Sequence, residues 1–93
     1  MSARKLVAHN LRKLRVAREI SQENLAVDAS LDRTYIGRLE RGLENPTVAV
    51  LERLAEALGA QIVEFFAPMR RGERAVEPLR GGRRPIKRDV RKG

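Results

Sequence analysis

The chain is expected to fold as an all-α domain of five helices, and three observations lead there. Residues 21–46, SQENLAVDASLDRTYIGRLERGLENP, hold two short helical patterns joined by a turn too short to leave them parallel. Apolar residues recur at helical spacing on either side of that pair, at Val7, Leu11, Leu14 and Ala17 and again at Val48, Leu51, Leu54, Ala55 and Leu58. Start and stop signals bracket these patterns: Ser21, Asp32 and Thr47 as caps, Gly42 and Gly59 as residues able to take positive φ.

The first helix is predicted over about residues 3–18, with Val7, Leu11, Leu14 and Ala17 buried and His9 on the surface. The second follows Ser21 and turns Leu25, Ala26 and Ala29 to one face. Asp32 starts the third, Arg33 to Arg41, whose apolar side is Ile36 and Leu39, with Leu31 before the cap as a hydrophobic staple. The fourth begins after Pro46, capped by Thr47, and ends at Gly59. A short fifth covers about 61–66, where Ile62 and Phe65 should close the core. That leaves Val50, Val63 and Phe66 with more apolar surface than a small monomer needs, which points to a dimer interface.

Composition fits one small domain with a basic appendage. With 93 residues and 42% hydrophobic content, one compact core can be built and two cannot. Charge is very unevenly placed: residues 1–69 carry 10 Lys and Arg against 9 Asp and Glu, whereas residues 70–93 carry 10 against 3. The sequence pI of about 11.2 therefore belongs to the C-terminal stretch. We take 1–68 as the folded domain and 69–93, rich in Arg, Gly and Pro, as a basic tail expected to be disordered. That tail could lie on DNA, remain solvated, or dock another protein.

Several classes drop out. Without cysteine there are neither disulfides nor thiolate metal sites, and the lone His9 cannot make a metal centre by itself. No apolar run is long enough to span a membrane and the N-terminus lacks a signal-peptide core, so a soluble cytoplasmic protein is expected. The sequence has no nucleophile paired with a base and no phosphate-binding loop, and it implies neither catalytic residues nor cofactors.

What the paired helices offer is the exposed start of the second of them, where Arg33, Thr34 and Tyr35 project from a helix terminus that favours phosphate. That is a helix-turn-helix signature. The plainer reading is a helical hairpin with solvated charges. Against it stands an ordered set of residues: Leu11, Arg12 and Arg15; Ser21-Gln22-Glu23 and Leu25-Ala26; Tyr35-Ile36 and Leu39-Glu40-Arg41-Gly42; Asn45-Pro46-Thr47; Leu51, Leu54-Ala55, Ala57-Leu58-Gly59 and Phe65-Phe66. On these residues the chain resembles the lambda-repressor-like helix-turn-helix regulators of the Xre and Cro type, over roughly residues 5–67. The segment LDRTYIGRLERG is especially similar to the controller proteins of restriction–modification systems. Two positions depart from the family pattern, with Ser30 and Glu19 where glycine is usual; a non-glycine residue at positive φ costs on the order of 1 kcal/mol.

Chemistry and resemblance together imply the roles. Arg33 can pair bidentately with O6 and N7 of guanine, Thr34 can meet a base edge, and Arg38 can reach a base or a phosphate. Tyr35 either packs on the sugar-phosphate wall, the role we favour, or covers the hairpin. The resemblance implies that Gln22 approaches a phosphate and braces the recognition helix, and that Arg15 and Glu40 form a structural ion pair. Ser21, Arg41 and Asn45 are further phosphate candidates. The expected partner is double-stranded DNA, read as a pseudo-palindromic operator by a homodimer. The alternative is an antitoxin-like interaction protein that masks a partner protein through its tail and binds DNA only for autoregulation.

Overall fold

The structure, a computed structural model, describes residues 2–69. The expectations for the basic tail fall, but for Met69, outside the described residues. Within them the chain is all helical: α1 (Ala3–Ala17), α2 (Gln22–Ala29), α3 (Arg33–Glu40), α4 (Val48–Leu58) and a 3₁₀ helix (Ile62–Phe66). The fifth element is thus a tight single segment of 3₁₀ and not a full α-helix.

All four α-helices end in the same way, and this sets the angles between them. The residue after each helix, or the next one on, sits in the left-handed region: Glu19 at φ 57, Ser30 at 58, Gly42 at 75 and Gly59 at 65. The following N–H then reaches back to a carbonyl five residues earlier: Ile20 to Arg15, Leu31 to Ala26, Leu43 to Arg38 and Ala60 to Ala55, at 2.8–3.2 Å. These are Schellman closures, in which an apolar residue just past the turn packs back on the fold. Ile20, Leu31 and Ala60 do so, half-buried against the core. Glu19 and Ser30 therefore keep the turn that the family builds with glycine, each at a cost of about 1 kcal/mol.

At the turn between α2 and α3 an arginine from another helix compensates. Arg53 of α4 donates from Nε to the Ala29 carbonyl at 3.0 Å and from Nη2 to the Ser30 carbonyl. The acceptors left at the end of α2 are thereby satisfied by a charge that also suits the negative end of the helix.

Of the three expected caps, Ser21 and Thr47 make the capping bond and Asp32 does not, while Ser2 is a cap that the sequence reading did not single out. Ser2, Ser21 and Thr47 accept the N–H of Lys5, Asn24 and Val50 at 3.2, 3.0 and 3.1 Å. Asp32 has the extended backbone of a cap, but its side chain makes no capping bond. Its carboxylate contributes only charge near the start of α3.

The core gathers Leu11, Leu25, Ile36, Leu39, Leu54 and Phe65, each fully buried. α1 packs on α3 and the 3₁₀ helix, while α2 packs on α3 and α4. Two stripe assignments and one interface assignment need correction. Ala17 is exposed, because α1 ends there and Ile20 beyond the turn takes up the packing. Val48 is 69% exposed because it opens α4 and a helical side chain leans toward the N-terminus, past the packed face. Val50, expected to be surplus, is half-buried against the core. Of the residues expected to be surplus, Val63 and Phe66 are exposed, as are Val27, Leu43 and Val48 elsewhere.

Candidate nucleic-acid interface

The exposed face of α3 follows from 3.6-residue periodicity: Arg33, Thr34, Arg38 and Arg41 share the solvent side, with half-buried Gly37 between them and Ile36, Leu39 and Glu40 turned inward. Two further expected site residues are Tyr35 and Asn45. Tyr35 is half-buried and packs against the core. Its phenol is pushed above the ordinary 10.0, first by burial and then by the charge of Glu44. Asn45 is exposed in the loop before α4.

The mount of this face is a buried polar cluster around Glu40, the last residue of α3. Arg15 of α1 grips the carboxylate from both sides, Nε to Oε2 at 2.6 Å and Nη2 to Oε1 at 2.9 Å, with the two side chains 4% and 2% exposed. The Arg15 Nη1 donates to the Ile20 carbonyl at 2.8 Å, so the same guanidinium secures the turn after α1. Gln22, opening α2, donates from Nε2 to Glu40 Oε1 at 3.0 Å. One carboxylate thus ties three helices together: α1 by charge, α2 by an amide and α3 by the chain itself. A bidentate, fully buried arginine–carboxylate pair is stiff, and breaking it leaves a charge uncompensated. Gln22 therefore braces α3, while its place at the helix start, beside Ser21, leaves the N-terminus of α2 adjacent to α3.

Sequence reasoning missed four features. Arg38 is not a loose side chain: its Nε donates to Glu44 Oε2 at 2.6 Å. That contact spans six residues across the Gly42 turn, so no helical spacing announces it. Arg53 clamps the end of α2 from 23 residues away. Asn10, buried in α1, donates to the carbonyls of Phe65 and Ala67 at 2.9 and 2.8 Å and so ties the end of the 3₁₀ helix to α1. Lastly, α1 and the end of α3 border a cleft of about 210 Å³ whose lining includes Lys5, His9, Arg12 and Arg41 together with the acidic Glu40. There the Arg12 Nε, buried and without a hydrogen bond, lies 3.9 Å from Glu40 Oε1. His9 is half-buried in this cleft. The Arg12 position is among the quoted family matches, which was the one available signal.

Among the described residues no cluster of His, Cys, Asp or Glu could hold a metal ion, and no helix is long and apolar enough to cross a membrane. What the arrangement presents is cationic and hydroxyl chemistry on a rigidly mounted helix.

Comparison with known proteins places this geometry. The helix-turn-helix domain family matches residues 6–65. The HTH-type transcriptional regulator y4dJ of Sinorhizobium fredii is 41% identical over 68 residues, 73% of this chain and 88% of that protein. The crystal structure of the restriction–modification controller protein C.AhdI from Aeromonas hydrophila superposes with a TM-score of 0.65 at 40% identity, covering 67% of this chain and 94% of that one. The controller C.Esp1396I, solved as a tetramer in complex with its natural 35 base-pair operator, gives 0.66 at 35% identity over 71% of this chain and 87% of its own. By residues and by fold, the chain belongs to the helix-turn-helix domain family of DNA-binding regulators.

Proposed function

We propose that this protein is a cytoplasmic, sequence-specific transcriptional regulator that reads a pseudo-palindromic operator as a dimer, one α3 helix per half-site. The observation that carries the reading is the exposed start of α3, with Arg33 and Thr34 on a helix held to α1 and α2 through Glu40. Such a mount holds the reading side chains within a narrow range of positions, as recognition of base edges requires. Relatives of the same kind are regulators and controllers, one of them solved on its operator. We assign Arg33, Thr34 and Arg38 to base edges and Ser21, Tyr35, Arg41 and Asn45 to the backbone. Gln22 joins them through its place beside Ser21, although its amide is engaged by Glu40. Val63 and Phe66 supply the dimer surface.

Enrichment of duplexes from a random-sequence pool would define the operator, after which Arg33→Ala is the direct test. Its loss on the enriched duplex should be about 1 to 3 kcal/mol, with discrimination flattened at one base pair of each half-site. Equal losses on enriched and random duplexes would remove Arg33 from base reading.

A further inference from the structure

The ion pair between Arg38 and Glu44 has no evident task in folding. The two side chains are 46% and 29% exposed, and pairs of that kind shift an equilibrium by only about two- to fivefold. Yet the loop is built to make it. Gly42 turns at φ 75, the Leu43 N–H bonds back to the Arg38 carbonyl at 3.0 Å, and Glu44 is thereby set beside the last turn of α3. The Arg38 Nη2 also lies 3.5 Å from the Leu43 carbonyl, on the same side as the carboxylate. The charge of Glu44 reaches Tyr35 as well, one of the two causes that raise its phenol.

A guanidinium carries five N–H donors. With Nε given to Glu44 and one Nη2 hydrogen turned to Leu43, the outer edge formed by the two terminal nitrogens is left. That edge is the fork that matches O6 and N7 of guanine. A phosphate brought to that edge is repelled by the adjacent Glu44 carboxylate, whereas the neutral edge of a base is not.

We propose that Glu44 is a specificity-determining residue: by holding Arg38 through the Nε–Oε2 pair it keeps the guanidinium off DNA phosphates and leaves only its outer fork for a base edge. The inference rests on the regulator reading, since it requires α3 to lie against DNA. Phosphate contacts supply affinity without sequence information, so an arginine withheld from them lowers binding to every duplex except the one that offers the right base.

The test uses the full chain and two duplexes of equal length, one enriched by the wild-type protein from a random pool and one of random sequence. Glu44→Gln should bind the random duplex about two- to fivefold more tightly, with a log–log salt slope steeper by about 0.9, while gaining nothing on the enriched duplex. In an Arg38→Ala background the same substitution should leave the ratio of the two affinities unchanged. Glu56→Gln, which removes an exposed carboxylate on α4, should also leave that ratio unchanged. Equal tightening on both duplexes, or a fall in the ratio that persists without Arg38, would overturn the inference and leave Glu44 as bulk charge. A wild-type chain that enriches no sequence would overturn the regulator reading and this inference together. A discriminating wild type with an unaltered ratio in Glu44→Gln would overturn this inference alone.

Discussion

Glu40 shows how one buried carboxylate can be scaffold. Arg15 grips both of its oxygens and Gln22 adds a third donor, so three of its roughly four acceptor sites are taken by the protein. With its side chain only 2% exposed, it has no surface left with which to meet a ligand. Glu40→Gln keeps the shape but removes the countercharge to Arg15, and should cost on the order of 3 kcal/mol in folding stability. Urea unfolding would register this as a lower midpoint at an unchanged slope. Stability retained, with DNA binding lost, would move Glu40 to the interface. Arg38 is the contrasting case: a charged pair at the surface contributes little to stability, so its effect is on what the arginine can touch.

Among the elements, the turns are the informative pieces. Ser30 sits at φ 58 between α2 and α3, and Arg53 holds the adjacent carbonyls. Glycine would adopt that backbone without strain, so Ser30→Gly should raise stability by up to about 1 kcal/mol, measured as a higher urea midpoint. A drop instead would mean that the serine side chain contributes something the backbone conformation does not explain. Helix existence, caps and most of the core were legible in the sequence, because amphipathic spacing and capping chemistry are local. Leu11, Leu25, Ile36, Leu39 and Leu54 lie inside as their spacing requires. Ala17 and Val48 failed at helix ends, where periodicity no longer says which face meets a neighbour. The Arg15–Glu40 contact was available only through the family resemblance, since 25 residues separate the partners. Arg53, Asn10 and Glu44 act across loops or between helices, and no local pattern encodes such distances.

At the scale of the whole molecule, two surfaces extend beyond one domain. Val63 and Phe66 are 70% and 44% exposed next to the buried Phe65, an apolar excess suited to a second copy. A two-fold arrangement would set the two α3 helices about 34 Å apart, one turn of duplex. Charge at this surface, as in Val63→Asp, should then weaken self-association in sedimentation and operator binding together; a wild type that stays monomeric on and off its operator would refute the dimer. The second surface is charge. Residues 70–93 carry 10 Lys and Arg against 3 acidic residues, whereas residues 1–69 are nearly balanced at 10 against 9. If that segment lies along DNA, each phosphate it neutralises steepens the salt dependence by about 0.9 in log–log slope without adding sequence preference. A chain ending at Pro68 should therefore lose affinity for every duplex at low salt while its ratio of enriched to random binding stays the same, because Arg33, Thr34 and Arg38 remain. An unchanged slope would separate the basic segment from DNA altogether. Loss of folding on truncation would instead place part of the domain beyond residue 68, past the Asn10 contacts to Phe65 and Ala67 that tie the end of the 3₁₀ helix to α1.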